Sequence, residues 1–207
     1  MAYPVHRSLR PGLQDPQLLA EGIGLRMWEA TDRDALVAAW ADPEICRWTS
    51  VPDDAGPDSA ARWIAGERRR REEGLALDFV GVSVEDGRVL GEVGLSAFDV
   101  GRGVARIGWW TAASERGRGV ATAMVRALTD WAHDGPLALR SVLAEIDIAN
   151  PASAAVAQAA GYELLSEVPG RPTDDPGTDG GIVDRLVFAS RRPAFAATGE
   201  SETATRV

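Results

Sequence analysis

The stretch Ser114–Met124, SERGRGVATAM, places glycines and arginines directly before an apolar helical pattern. The first N–H groups of a helix have no partner inside it, and the helix dipole adds positive potential there. Gly117 and Gly119 let these amides approach an anion without a side chain in the way. Arg116 and Arg118 can add charge-assisted contacts to phosphate oxygens. The stretch therefore predicts a phosphate-binding loop at the start of a helix.

Two familiar phosphate-binding loops do not fit this stretch. A Walker loop ends in Gly-Lys-Ser or Gly-Lys-Thr, and no such ending follows the glycines. The dinucleotide fingerprint G-x-G-x-x-G needs a glycine where Thr122 stands, and it follows the opening strand of a βαβ unit rather than hairpins. An RNA-binding Arg-Gly segment is repetitive, and two Arg-Gly pairs before an apolar-patterned helix do not form one.

The composition predicts one acidic domain with a sizeable core. The chain has 207 residues, of which 45% are hydrophobic, and its net charge is 22 − 31 = −9. A negative surface disfavours nonspecific nucleic-acid binding and is compatible with cationic substrates such as amines. We therefore expect no nucleic-acid partner.

Few residues are available for metal, disulfide or triad chemistry. Cys46 is the only cysteine, and His6 and His133 are the only histidines. These counts exclude an internal disulfide and give little support to a metal site or a Ser-His triad. No apolar run approaches the roughly 18 residues that cross a bilayer, and the start lacks the apolar stretch of a signal peptide. We expect a cytoplasmic protein with neither a metal nor a membrane partner.

The elements that must position the loop are strands and helices with clear boundary signals. Strands are predicted at Ile23–Ala30, Asp78–Asp86, Arg88–Asp99, Gly101–Ala112, Leu139–Ala149, Tyr162–Val168 and Ile182–Ser190. Helices are predicted at Thr31–Ala41, Ser59–Glu73, Gly117–His133 and Asn150–Gly161, with residues 42–58 as a connection.

Hairpins come first and a strand–helix–strand–helix–strand run follows. This order predicts an α/β (α+β) fold with a mixed, mostly antiparallel sheet of about seven strands, flanked by about four helices. The domain spans residues 23–190, between an irregular N-terminal arm at 1–22 and a flexible tail at 191–207.

The sequence R-G-R-G-V-A at Arg116–Ala121 matches the R/Q-x-x-G-x-G/A signature of the Gcn5-related N-acetyltransferase (GNAT) superfamily. Its setting strengthens the match, because ARIGWW precedes it and VLAEIDIAN and NPASAAVAQAAGY follow. The last piece resembles the N-x-x-S…G-F/Y segment of the RimJ/RimL-type ribosomal-protein N-terminal acetyltransferase branch. LRMWEATDRDALVAAWADPEICRW and VDRLVFAS resemble the opening and closing parts of that branch, so the resemblance covers about residues 23–190.

The resemblance implies a GNAT fold and acetyl transfer from acetyl-CoA, as cosubstrate, to a primary amine within a ternary complex. Main-chain groups at Trp110 and Thr111 would bind the pantetheine arm, and Asn150 would contact the cofactor. Ser153 would lie near the thiol end of the arm. The pyrophosphate would bind the amides of Arg116, Gly117, Arg118, Gly119, Val120, Ala121 and Thr122.

Three carboxylates on predicted strands are candidates for the general base or for contacting the acceptor: Glu92, Glu145 and Asp147. Each is alternatively an exposed or paired strand residue. Many superfamily members carry a tyrosine where this chain has Ala157, which leaves Ser153 as the candidate that assists the departing thiolate. Trp48 and Trp109 are candidates for lining the acceptor pocket.

Two functions of different classes follow. The first is an acetyl-CoA-dependent N-acetyltransferase, monomeric or homodimeric, whose acceptor is a protein N-terminal amine or a small-molecule amine. The second is a non-catalytic acyl-CoA-binding or regulatory module of the same fold.

Overall fold

The computed structural model describes residues 18–20, 22–170 and 184–192. These residues contain eight strands and five α-helices. The strands are β1 (Leu18–Ala20), β2 (Ile23–Arg26), β3 (Ala76–Ser83), β4 (Val89–Asp99), β5 (Val104–Thr111), β6 (Ser141–Asp147), β7 (Glu163–Val168) and β8 (Arg185–Arg191). The helices are α1 (Arg33–Trp40), α2 (Pro43–Trp48), α3 (Pro57–Glu72), α4 (Val120–Asp134) and α5 (Pro151–Ala159).

The strands form one sheet in the order β1-β2-β3-β4-β5-β6-β8-β7. Every neighbouring pair is antiparallel except β5 and β6, which are parallel. The predicted mixed, mostly antiparallel sheet is therefore confirmed. The turn between β3 and β4 contains Gly87 with a φ of 73°, a left-handed conformation that the Asp-Gly pair predicts.

The sheet splits between β5 and β6. Their pairing runs only from Val104 opposite Ser141 to Arg106 opposite Leu143. Beyond this point β5 stays paired with β4 as far as Thr111, and β6 stays paired with β8 as far as Asp147. The two strands thus diverge toward their carboxyl ends and leave a wedge that opens beside the start of α4.

Hydrophobic side chains cover both faces of the sheet. One cluster packs the sheet against α4 and α5 and includes Phe79, Ile107 and Met124. The other packs it against α1, α2 and α3 and includes Val80 and Trp110. Because side chains alternate along a strand, β3 and β5 each contribute to both clusters.

Helix α2 lies where the sequence predicts only a connection. The Asp42 carboxylate accepts a hydrogen bond from the Glu44 N–H at 2.9 Å, and Pro43 occupies the first turn. Both are standard helix-start signals, so the Asp-Pro pair begins a helix here instead of breaking the chain.

Other boundaries also differ from the predicted ones. Strand β1 lies within the segment predicted as an irregular arm, and it pairs with β2. Strand β2 ends at Arg26, and α4 begins at Val120 rather than Gly117. The rest of the arm at 1–17, the tail at 193–207 and most of the acidic loop at 169–181 lie outside the described residues.

Across the described ranges, no helix combines the length and apolar character needed to span a membrane.

Gly91 in β4 leaves no room for a side chain. A Cβ atom there would overlap the Trp110 carbonyl oxygen and stand 3.1 Å from the Thr111 Cα on the paired strand. Overpacking of this kind costs about 1–3 kcal/mol. We expect Gly91→Ala to lower the free energy of unfolding by about that amount, measured by urea denaturation followed through tryptophan fluorescence.

Gly108→Ala is the matched control, because a Cβ at Gly108 would meet nothing within 4 Å. This variant should stay within about 0.5 kcal/mol of the parent chain. Equal losses in both variants would show that Gly91 is not constrained by packing.

Candidate active site

A cavity of about 490 Å³ fills the wedge between β5 and β6. It is bounded by the end of β5, the loop before α4, helix α5 and helix α2. Most residues predicted to bind the cofactor line it together: Trp110, Thr111, Arg116, Gly117, Gly119, Val120, Ala121, Thr122, Asn150 and Ser153. Arg118 lies outside this cavity and lines a neighbouring one of about 200 Å³.

The loop before α4 presents main-chain amides to this cavity. Gly117 and Gly119 have φ angles of 73° and 80°, a left-handed conformation that favours glycine. Gly119 is the N-cap of α4, and the first intrahelical bond runs from the Ala123 N–H to the Gly119 carbonyl at 3.0 Å. The preceding amides, from Val120 to Thr122, have no partner within the helix and are available to an anion.

Both arginines of the loop are held by carboxylates. Arg116 contacts Asp42 at 2.6 Å, and Arg118 contacts Glu115 at 3.2 Å. Glu115 is buried and is also ion-paired with Arg88. Glu115 lies in the loop itself, whereas Asp42 and Arg88 come from distant segments that the sequence alone does not connect to it. They fix the loop in place and leave its amides as the groups aimed at the cavity.

Helix α5 closes the other side of the cavity. The buried Asn150 accepts a hydrogen bond at its Oδ1 from the Ser153 N–H at 3.0 Å and so caps the helix. The amide NH₂ group of Asn150 is not used in this cap, and Ser153 lines the cavity. Ala157 is fully buried in the core.

A second cavity of about 230 Å³ lies beside the first. Thr49, Trp109 and Trp110 line both, so the two spaces meet at the end of β5. Glu92 and Asp78 line the second cavity and do not line the first. The arrangement provides adjoining sites for two ligands.

Glu92 is a partly buried carboxyl group in the second cavity. Burial raises its pKa to about 8, and the nearby Asp78 adds to the rise. Hydrogen bonds from the indoles of Trp28 and Trp110 act in the opposite direction, and the Trp28 Nε1 donates to Glu92 Oε2 at 2.8 Å. A carboxyl group with this pKa can exchange a proton near neutral pH.

Trp28 also holds a second carboxyl group. Its main-chain N–H donates to Glu67 Oε2 at 3.1 Å, and burial raises the pKa of Glu67 to about 7. Asp78 is a third carboxyl group near Glu92 and Glu67. Burial raises the pKa of Asp78, and the positive charge of Arg70 partly offsets that rise. Trp28, Glu67 and Asp78 carry no local signal in the sequence, because only the strand register and the packing of α3 bring them together.

Some predicted site residues lie elsewhere. Glu145 accepts hydrogen bonds from Arg106 at 3.2 Å and Arg185 at 3.4 Å, and Asp147 accepts one from the Ala149 N–H at 2.7 Å. Neither lines one of the two cavities. Trp109 lines both, whereas Trp48 lines only the first.

Comparison with known families agrees with this geometry. Residues 23–163 match the model of the acetyltransferase (GNAT) domain. The chain belongs to the GNAT acetyltransferase family. No curated protein matches its sequence.

Solved acetyltransferases share the GNAT fold of this chain. Mycobacterium smegmatis RimJ in complex with CoA-disulfide is 24% identical, covers 82% of this chain and 81% of its own, and gives a TM-score of 0.71. The ribosomal-protein-S5-alanine acetyltransferase from Vibrio fischeri is 17% identical, with coverages of 84% and 94% and a TM-score of 0.71. Microcin C7 self-immunity acetyltransferase MccE, in complex with acetyl-CoA and AMP, is 16% identical, with coverages of 85% and 97% and a TM-score of 0.72.

The Trp28 indole should hold down the pKa of Glu92 in this GNAT domain. We expect Trp28→Phe to raise that pKa by about one unit or more, because a hydrogen bond to a charged group is worth about 1.5–3 kcal/mol. NMR titration of ¹³C-labelled glutamate carboxyls measures the shift.

Trp48→Phe is the control, because the Trp48 indole donates to the exposed Glu44 instead. A Glu92 pKa that is the same in both variants would contradict the role of the Trp28 bond.

Proposed function

We propose that the protein transfers an acetyl group from acetyl-CoA to a primary amine, with both substrates bound at once. The observation that carries the proposal is the meeting of two cavities at Trp109 and Trp110, with the phosphate-binding loop on one side and Glu92 on the other. Family membership supports acetyl transfer, and solved relatives bind acetyl-CoA or CoA.

The wedge fits the acetyl donor. Beyond Arg106 the main chain of β5 has no β6 partner, so its edge can pair with the pantetheine arm as a further strand would. The loop amides would hold the pyrophosphate, and the free NH₂ group of Asn150 would contact the arm. When bound, acetyl-CoA supplies a thioester-activated acetyl group.

The second cavity fits the acceptor. An amine enters as an ammonium ion and must lose a proton before it becomes a nucleophile. Glu92, as a carboxylate, would take that proton directly or through one water. A C–N bond then forms as the C–S bond breaks, the nitrogen loses a second proton, and the sulfur takes up a proton to leave as the thiol of CoA. A main-chain amide of Trp109–Thr111 would polarise the acetyl carbonyl.

Ser153 would assist at the departing sulfur. Its side chain lines the first cavity, and the position that often carries tyrosine holds the buried Ala157. A serine hydroxyl is a weak acid, so hydrogen bonding or a relayed water is the role we assign to it.

Two kinds of acceptor remain in the proposal. Two of the structurally similar proteins are a ribosomal-protein-S5-alanine acetyltransferase and a ribosomal L7/L12 alpha-N-protein acetyltransferase. By analogy the acceptor here would be a protein N-terminal amine, and a small-molecule amine fits the same cavity. Mass spectrometry of products from an acceptor panel with acetyl-CoA decides between them, and acetyl-CoA binding with no product would favour a non-catalytic module.

Removal of the proposed base should abolish most turnover without loss of fold. We expect Glu92→Gln to lower kcat by about 100-fold or more, because general-base catalysis contributes about 10²–10⁴-fold. The Kd for acetyl-CoA should stay unchanged. In the parent protein kcat/KM should rise with pH and level off above about 8, the pKa of Glu92.

Stability provides an internal check on the same variant. The folded-state pKa of Glu92 is raised, so its contribution to stability is greatest at acidic pH and falls as pH rises toward 8. Glu92→Gln should therefore be at least as stable as the parent at pH 8. Glu163→Gln, at an exposed position on β7, is the matched control, and equal kcat in the two variants would rule out Glu92 as the base.

Backbone access should matter more than charge in the phosphate-binding loop. We expect Gly119→Val to weaken acetyl-CoA binding about 100-fold or more, because a β-branched residue is strained at a φ of 80°. Arg118→Ala should cost less than about tenfold, since Arg118 lies outside the first cavity and solvent screens the charge of its exposed side chain. Calorimetric titration measures both, and comparable losses would mean that side-chain charge dominates.

A further inference from the structure

The second cavity contains a second carboxylate, Asp78, for which the proposed proton transfer has no use. Asp78 on β3 lies opposite Gly94 on β4, and Glu92 lies two residues along β4 on the same face. Diagonal neighbours of this kind are about 7–8 Å apart. The cavity therefore has two carboxyl groups spaced for two donor groups of one ligand.

Arg70 on α3 fixes the orientation of Asp78. Its Nε and Nη2 donate to Asp78 Oδ2 at 3.3 and 3.2 Å, and its Nη1 donates to the Trp63 carbonyl at 3.0 Å. The same guanidinium lies over the Trp63 ring, 4.2 Å from its centroid. Arg70 thus holds in place both the Asp78 carboxylate and the Trp63 side chain, which line the cavity.

The second oxygen of Asp78 faces a glycine. A Cβ at Gly94 would stand only 2.7 Å from Asp78 Oδ1, so the missing side chain at Gly94 makes room for this oxygen. Gly108 is paired with Gly94 and also lines the cavity. A Cβ at Gly108 would meet nothing within 4 Å, so the open space at Gly108 leaves room for a ligand group near Asp78.

The ionisable side chains that line the second cavity are all acidic. The charged residues that line it are Asp78 and Glu92, and the others are aromatic, aliphatic, hydroxyl-bearing or glycine. From α3, Arg70 and Arg71 lower the pKa values of Asp78 and Glu67, and the buried Glu67 is mainly negative only above its pKa of about 7. Trp40, Trp63 and Trp110 form the aromatic part of the lining, and aromatic rings interact favourably with cations.

We infer that Asp78 determines acceptor specificity: its Oδ1 binds a donor group next to the reacting amine, so the cavity accepts amines with a neighbouring neutral or cationic donor and rejects amines with a neighbouring carboxylate. This inference rests on the proposed function. In the ionised form of Glu92, which is the form that accepts the proton, a carboxylate placed between Asp78 and Glu92 would be desolvated beside two like charges, which is costly. The acceptor class is therefore an α-amino amide or peptide N-terminus, not a free amino acid.

Alaninamide and alanine test the inference, because they differ only in carboxamide against carboxylate beside the same amine. The full chain is assayed with acetyl-CoA at fixed pH, with rates expressed per unprotonated amine. We expect kcat/KM for alaninamide to exceed that for alanine by at least 100-fold. Isopropylamine, which has neither the donor nor the charge, should lie between them. Equal rates, or a preference for alanine, would overturn the inference.

Asp78→Asn tests the residue itself. The amide keeps the size of the side chain and removes its charge, so the preference for alaninamide should shrink at least tenfold, mainly through KM. Asp130→Asn, at an exposed site on α4, is the matched charge control and should keep the full preference. The acetyl-CoA affinity of each variant shows whether its donor site is folded. An unchanged preference for alaninamide in a folded Asp78→Asn protein would exclude Asp78 as the residue that determines acceptor specificity.

Binding separates this inference from the proposed function. Both acceptors are titrated into protein saturated with CoA. Selective binding of alaninamide without turnover would support the role of Asp78 and contradict acetyl transfer. Turnover of both acceptors without selective binding would support acetyl transfer and contradict the role of Asp78.

Discussion

The early parting of β5 and β6 is the constraint on which the rest of the site depends. Parallel strands need a crossover connection, here α4, and its start must lie at the carboxyl end of β5. Because the strands separate after Arg106 and Leu143, the unpaired edge of β5 and the first amides of α4 face the same opening. Main-chain geometry therefore forms most of the proposed donor site, and the fold is shared with relatives only 16–24% identical.

Strand β5 also divides the site into two halves. Adjacent side chains point to opposite faces, so Trp109 packs with the core under α4 while Trp110 packs with the core under α3. The same strand borders both cavities, and its main chain is where their contents would meet. A rigid strand with a core on each side can hold two ligands in a fixed relation, which is the main requirement for a direct transfer.

Local signals in the sequence locate the loop before α4 and the start of α5, but they do not locate the second cavity. The glycines at 117 and 119, and Asn150 with Pro151, act through their own neighbours in the chain, so spacing alone locates the loop and the α5 cap. Nothing local distinguishes Glu92 from Glu145, since both are strand carboxylates. Strand register and the helix covering each face place one in a cavity and the other in a surface ion pair. The Asp42-Pro43 pair at the start of α2 is a recognised helix-start signal, but the same pair also favours turns.

The carboxyl groups of Glu92 and Glu67 have a stability cost that the proposed function can explain. Glu92 and Glu67 have pKa values raised to about 8 and 7, mainly by burial, so each loses stabilising effect as pH rises above the unfolded-state value. A glutamine or an apolar residue would avoid this cost. Trp28 limits it by donating its indole N–H to one carboxyl group and its main-chain N–H to the other. This loss of stability fits the role of proton acceptor that we propose for Glu92, because catalytic sites often keep groups with shifted pKa values at a cost in stability.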